Sequence, residues 1–430
     1  MTTKKIPPRS IEHSRARWLS VAIQCLGLLS ALMVNLILPL IYGVEYYGEF
    51  IKSNILVFVI HKFADIVTEP LMASVEAKFI FVTCLLSSAI VIFLAQGINY
   101  FDQIGSQSLL VTMLLSSNCM IAMFALRLHR QILVHLILIL GVFFILLICD
   151  YRGLMSFSIL ELLIWTNFVP ALFSSLGLFF KGAHLPPFDK IGNAIITSLR
   201  QYLGNFTSTF VFNCLTNILP YILAKQMSAL DVGVFRIVTS ILQSATSLFP
   251  INTKAIFLVF IVSKERSQLM LTLMAASLFY FSLIAVCALI MTSFVPRLSP
   301  YIAMITILPV TYWAVLFERY MQAGGMRRPL IVTNLVVGIS ILVGAFFVRE
   351  LDQAEHLYAL GLCTYASFLW VTSHLKTARV TVCVVIVCST LILWLDQFFP
   401  YATLIYMCLL AGIPFVFMKF RLSNALSLKF

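Results

Sequence analysis

Charge is what this sequence has least of. Only 11% of its 430 residues are Asp, Glu, Lys or Arg, 61% are hydrophobic, and the mean hydropathy is +1.01. Soluble globular domains carry charge on about a quarter of their residues, so that class is excluded. Long polar stretches are missing as well. The longest connections are the amino-terminal arm, 181–201 and 250–268, and none could hold a nucleic-acid-binding fold or a sizeable catalytic domain. The net charge of +12 therefore points to cytoplasmic loops facing anionic headgroups, with no nucleic acid involved. No CxxC pair exists, and all ten cysteines fall within or at the ends of apolar stretches. They read as small apolar side chains, neither disulfides nor metal ligands, and no cofactor is implied. The first apolar run has no A-x-A cleavage site, so it is expected to remain as a membrane span.

What the chain has instead is apolar runs, about fourteen of them, each long enough to cross the hydrocarbon core of a bilayer. They cover 18–41, 50–73, 79–96, 109–128, 132–149, 155–180, 202–223, 230–249, 269–294, 301–320, 330–348, 356–371, 380–398 and 401–417. With the amino terminus in the cytoplasm, only Lys52, Arg152, Lys225, Arg236, Arg297 and Arg349 of the 29 basic residues fall outside. That bias matches the positive-inside rule and places both termini in the cytoplasm. One span missed or invented would invert every later connection and spoil the partition. The tryptophans and many tyrosines gather near span ends, as an aromatic belt requires.

Two places in the chain look alike. After the first span the sequence reads Asn35-Leu-Ile-Leu-Pro39, followed by an outer loop ending Tyr47-Gly48-Glu49-Phe50. After the seventh it reads Asn217-Ile-Leu-Pro220, then Met227-Ser-Ala-Leu-Asp-Val-Gly233-Val-Phe235. Each Gly-x-Phe triplet opens the next helix on the outer side, six helices apart, so the halves share one orientation. Parallel repeats of this kind are a known transporter plan, with the substrate route between the halves. The expected fold is an all-α polytopic membrane protein of about fourteen transmembrane helices: two six-helix pseudo-symmetric lobes plus two carboxy-terminal helices. The expected divisions are a basic arm (1–17), an amino-terminal lobe (18–180), a cytoplasmic linker (181–201), a carboxy-terminal lobe (202–375), helices thirteen and fourteen (376–418) and a cytoplasmic tail (419–430).

Six plus six helices, the Tyr-Gly-x-Phe turn, the Leu219-Pro220…Val232-Gly233-x-Phe235-Arg236 stretch and the Glu318–Arg328 segment together resemble a known family. They look like the polysaccharide transporters, Wzx-type O-antigen flippases, of the multidrug/oligosaccharidyl-lipid/polysaccharide (MOP) exporter superfamily. That resemblance implies a non-enzymatic flippase in the bacterial inner membrane. It would move undecaprenyl-pyrophosphate-linked oligosaccharide, an O-antigen or exopolysaccharide repeat unit, from the inner to the outer leaflet. It also implies membrane lipids around the chain, H+ or Na+ as coupling ion, and polysaccharide polymerase or assembly proteins as partners. Two rivals stay open: a drug/cation antiporter of the same superfamily, and a membrane-embedded glycan polymerase or glycosyltransferase, against which the short outer loops count.

Such a task needs cations for pyrophosphate, amides or hydroxyls for sugar, and a carboxylate to couple ions. Ionisable groups inside spans cost about 2.5–3.5 kcal/mol each on insertion, which makes them default candidates. His61, Asp65 and Glu69 share one broad face of the second segment with Lys62. They read either as an ion-coupling site or as the solvated cytoplasmic end of that helix. Asn205, Thr209, Asn213 and Asn217 form a polar stripe on the seventh segment, serving either sugar hydroxyls or interhelical packing, and Asn35 is the counterpart on the first. Arg236 is a candidate phosphate ligand, since a planar guanidinium can grip phosphate oxygens in pairs. Its bland role is interfacial anchoring, as snorkelling is for Lys52 and a positive-inside charge for Arg200. Glu161 has no evident local partner in the sixth segment and is expected a turn or two below the outer surface, where it could couple protons. The topology is directly testable. A protein that fluoresces only in the cytoplasm should glow when fused after Phe430 and stay dark when fused after Arg152, and the reverse pattern would invert the topology.

Overall fold

The computed structural model describes residues 19, 22–97, 104–181, 184, 207–247, 260–294 and 303–373, except 31, 75, 208, 262 and 264. The expected segments thirteen and fourteen, the two terminal arms and most of the linker lie outside the described residues. Inside a bilayer no water can serve backbone N–H and C=O groups, so apolar runs satisfy them internally as helices. In the first half these are α1 (Ala22–Tyr42), α2 (Val44–Ser74), α3 (Ile80–Gly97), α4 (Ile104–Ala125), α5 (His129–Tyr151) and α6 (Ile159–Phe179). In the second half they are α7 (210–226), α8 (Ala229–Ser247), α9 (Arg266–Phe294), α10 (Leu308–Ala323), α11 (Arg327–Ala345) and α12 (Leu351–Thr372). Short 3-10 turns, Ala77–Phe79 and Ala303–Ile307, lead into α3 and α10. Among the described residues seven helices are long and apolar enough to cross a membrane: α1, α3, α4, α5, α6, α9 and α11. α2 is longer still, at 31 residues, but carries Glu45, Glu49, Lys52, Lys62, Asp65 and Glu69. The protein is an all-α, multi-pass membrane protein.

Two boundaries differ from expectation in an informative way. The stretch Tyr47-Gly48-Glu49-Phe50 is not an outer loop, because α2 already begins at Val44. Gly43 alone separates α1 from α2, and its φ of 92° reverses the chain in a backbone region that side chains with a Cβ avoid. α8 likewise opens at Ala229, behind a cap at Ser228 whose hydroxyl donates to the Asp231 carboxylate at 2.7 Å and accepts from the Asp231 N–H at 3.1 Å. Arg236 therefore lies two turns inside α8 rather than at its mouth.

The chain folds as two compact units, Met1–Gly43 with Phe50–Phe206, and Val44–Glu49 with Thr207–Phe430. In the first unit α4 is enveloped by its neighbours. Four consecutive residues of α4, roughly 100° apart around the helix, reach four different helices. Ser116 bonds His135 of α5 at 3.1 Å, and Ser117 donates to Asp65 of α2. Asn118 donates to Ser87 and Ser88 of α3 at 3.1 and 2.7 Å, and Cys119 lies 3.2 Å from Ser175 of α6. The His135 ring continues to Ser174 of α6 at 2.7 Å. Each such bond contributes only about 0.6 kcal/mol, but together they fix which face of each helix turns inward.

In the second unit the enveloped helix is α10, six helices on from α4. Trp313 is 1% exposed, and its indole N–H donates to Ser277 of α9 at 3.1 Å. The repeat glycines also belong to this unit. A Cβ on Gly48 would stand 1.8 Å from the Ala229 carbonyl oxygen, and one on Gly233 would stand 2.5 Å from the Val44 carbonyl oxygen. The opening turns of α2 and α8 thus pack backbone to backbone, which only glycine permits. Gly48→Ala or Gly233→Ala should destabilise the protein by about 1–3 kcal/mol, seen as earlier unfolding in a thermal ramp in detergent. Gly141→Ala and Gly177→Ala, which meet nothing within 4 Å, should leave the transition in place; equal behaviour of all four would contradict the backbone packing.

Candidate functional site

The polar interior of the second unit is built on a helix that is not continuous. α7 starts after Thr209 (φ −121°, ψ 18°), runs helically over Phe210–Asn213, widens to a π turn at Cys214–Ile218 and resumes at Leu219–Gln226. Pro220 explains the widening. Proline has no N–H, and its ring would clash with the carbonyl four residues back, so the backbone inserts a wider turn. The Leu219 N–H accordingly reaches back five residues to the Cys214 carbonyl. In the first unit α1 does the same before Pro39, with a π turn at Met33–Ile37 and the Leu38 N–H on the Met33 carbonyl. Counting back from each proline, Asn35 corresponds to Thr216, not to Asn217. The two copies agree in backbone geometry better than in the placement of their amides.

The expected stripe on α7 is present from Thr209 onward, while Asn205, like Arg200, lies outside the described residues. It is a hydrogen-bonded row. The Asn213 amide donates to the Thr209 hydroxyl at 3.1 Å, and the Asn217 amide donates to the Asn213 carbonyl oxygen at 3.4 Å. Thr209 and Asn217 are half-buried and Asn213 is buried. Where α7 restarts, the Val211 N–H has turned away from its own helix and is held at 3.1 Å by the side-chain oxygen of Asn334 on α11. Gly338, one turn further along α11, has no room for a Cβ because the Phe210 ring fills that place.

Arg236 points into the second unit. Its guanidinium hydrogen-bonds the hydroxyl of Tyr47, which is 0% exposed, and it lies near enough to Tyr358 for the two to interact. Tyr358 is hydrogen-bonded in turn to Gln243, two turns further along α8 than Arg236. The Arg236 Nε is buried and has no hydrogen-bond partner among the described residues. The ion pairs among those residues, His61–Asp65, Lys62–Asp65 and Lys78–Glu76, are all in the first unit. Arg236 is thus a half-buried cation set among phenols, with donors to spare.

The first unit holds the acidic cluster. Asp65 accepts from Ser117, with Lys62 Nζ 3.7 Å from one oxygen and His61 Nε2 3.7 Å from the other. Lys62 is largely solvent-exposed, whereas His61 is buried, so this face runs from water into the core. Glu69 continues the α2 series, its side chain outside those described. Lys52 sits half-buried in the third turn of α2, and Asn35 within the π turn of α1.

Glu161 differs from expectation. α6 begins at Ile159, so Glu161 stands in its first turn, exposed, where both the N–H and the hydroxyl of Ser158 donate to its Oε2 at 2.9 Å. Ser158-x-x-Glu161 is a capping box, a pattern legible in the sequence but hidden there by a segment start placed at Met155. The carboxylate closes the helix end. One interior acid is not among the expected site residues: Glu318 entered only as the start of the Glu318–Arg328 segment. α10 runs on to Ala323, and the Gly324-Gly325 turn follows only there, leaving Glu318 2% exposed inside the helix. Flanking Phe317 and Met321, both fully buried, were the available signal.

Comparison with known proteins yields no match to any family model and none to a curated protein. Solved structures do match. One is the lipid II flippase MurJ in an inward closed conformation, at TM-score 0.62 and 10% identity, covering 94% of this chain and 99% of that one. Another is an outward-facing multidrug resistance MATE family transporter of the MOP superfamily, at TM-score 0.47 and 10% identity, covering 85% and 96%. At 10% identity the likeness to the MurJ structure is one of fold, an all-helical membrane protein.

Proposed function

We propose that this protein moves a lipid-linked anionic oligosaccharide, of the undecaprenyl-pyrophosphate-linked O-antigen or exopolysaccharide kind, from the inner to the outer leaflet of a bacterial inner membrane by ion-coupled alternating access. The observation that carries the reading is Arg236, a cation inside a helical unit with no ion-pair partner among the described residues and an unused buried donor. A fixed interior cation is expensive, and a pyrophosphate passing through would offset that cost with charge-assisted hydrogen bonds. The fold likeness to a lipid II flippase supports the same class of cargo. Thr209, Asn213 and Asn217 supply amide and hydroxyl groups that can exchange their mutual bonds for sugar hydroxyls. Asp65 with His61 offers a carboxylate that a proton or Na+ could load from the exposed Lys62 side.

The acidic cluster at Asp65 is also the feature that would suit a drug/cation antiporter of the same superfamily. Uptake of organic cations into proteoliposomes, abolished by Asp65→Asn, would favour that reading instead.

Deleting the gene in a cell that makes the matching glycan should pile up lipid-linked repeat units on the inner leaflet. Arg236→Ala should cut export by about tenfold to a hundredfold, the loss of one or two charge-assisted hydrogen bonds. Arg236→Lys should retain part of it, and Tyr47→Phe, which keeps the guanidinium, should retain more. Unchanged lipid-linked pools with normal polymer outside would reject the proposal.

A further inference from the structure

Glu318 is the only acid of α10, and every feature of its surroundings keeps it from water. Gln322, one turn on, donates to its Oε1 at 3.0 Å. Arg319 is its near cation, but the Arg319 Nη1 is committed to the Gln322 carbonyl oxygen at 2.8 Å, and no ion pair to Glu318 forms within 4 Å among the described residues. From α12 the Tyr365 hydroxyl, buried and without a hydrogen-bond partner among the described residues, lies near enough to both Glu318 and Asn334 of α11 to interact with either. Asn334 is 0% exposed and spends its side-chain oxygen on the Val211 N–H at the break in α7. An acid near the end of α10 is thereby joined through two side chains to the discontinuity in the helix that carries Asn213 and Asn217.

We propose that Glu318 is a proton-binding site that controls the α7 break through Tyr365 and Asn334. This rests on the transport reading and deepens it by naming the coupling ion. An ionised Glu318 draws the unpartnered Tyr365 hydroxyl towards it. A proton on the carboxyl weakens that pull, and the acid O–H can donate to the phenol oxygen instead. The phenol O–H then turns to the Asn334 side-chain oxygen, which must be shared between two donors, and its bond to the Val211 N–H at the start of α7 weakens. No other acid among the described residues faces the carboxyl. Arg319 and Gln322 lie on its own helix, and Tyr365 comes from α12. Arg266, in the first turn of α9, bonds the Ala323 carbonyl at the end of α10, and Arg327 and Arg328 of α11 are exposed. α8 and the 3-10 turn bring no titratable group to it among the described residues.

The test is hydrogen–deuterium exchange of the purified full chain in detergent micelles, followed over 207–217 at about pH 5.5 and about pH 8 and corrected for the intrinsic exchange rate. Protection of the wild-type segment should fall about three- to tenfold at the lower pH. Glu318→Gln, which mimics the protonated acid, should show low protection at both values. Tyr365→Phe should remove the pH effect too, and stands in should Glu318→Gln fail to fold. Asp65→Asn should leave the effect intact. A wild-type segment indifferent to pH, a pH effect that survives both substitutions, or a change driven by swapping Na+ for K+ at fixed pH would each overturn the proposal. Glycan export is read separately: a pH effect without lipid-linked cargo sinks the export reading alone, and export without a pH effect sinks this one alone.

Discussion

In a bilayer a polar group that is not paired inside the protein is not paired at all, and most of this architecture follows from that. α4 shows how far the constraint reaches. Ser116, Ser117, Asn118 and Cys119 are four successive residues, yet each finds a different helix, so the bundle of the first unit has one rotational setting in which all four are served. Apolar packing alone would not choose that setting, because lipid tails are as apolar as the helix faces they would replace. The same need acts at Asp150, whose two oxygens hold the Tyr42 hydroxyl of α1 at 2.7 Å and the Phe157 N–H at 2.9 Å, closing the α5–α6 connection.

The two prolines, Pro39 and Pro220, turn that constraint into a structural device. Each removes a backbone donor near the end of an expected span, and each is answered by a π turn over the five residues before the resumed helix. A helix of this kind has spare carbonyl capacity and a soft point at the widened turn. That α1 and α7 share the device, α2 and α8 the glycine packing, and α4 and α10 the enveloped position means the halves repeat in geometry. The repetition is much clearer there than in the residues themselves.

Much of the fold was legible because hydrophobic length and the placement of basic residues act on the whole chain at once. Twelve of the expected segments appear as helices among the described residues, in the expected order. The boundaries were less legible, since a reversal through the single residue Gly43 leaves no polar stretch to notice, and a capping box at Ser158 sits inside an apolar run. The site was half legible. The α7 row and the cation at Arg236 stood out as costly residue types inside spans, whereas Glu318 falls at the polar end of its span, where a charge attracts no notice. The mutual satisfaction of Thr209, Asn213 and Asn217 was visible as i, i+4 spacing, but the trans contact from Asn334 was not, for it joins helices far apart in sequence.

The distribution of interior charge now carries a mechanistic consequence. Asp65 has a serine donor and the Lys62 ammonium 3.7 Å away, so its charge is partly neutralised in place. Arg236, half-buried, and Glu318, buried, are different, each with hydrogen bonds to neutral groups among the described residues. Two unneutralised charges of opposite sign within one unit are not a stability device, because replacing either with an apolar residue would relieve a desolvation cost of several kcal/mol. On the proposed reading, a chain that keeps both keeps them for species that come and go. An anion met by Arg236 and a proton met by Glu318 would each relieve part of that cost, and α7, which lies against Asn334 and carries the polar row, is the element on which both events can act.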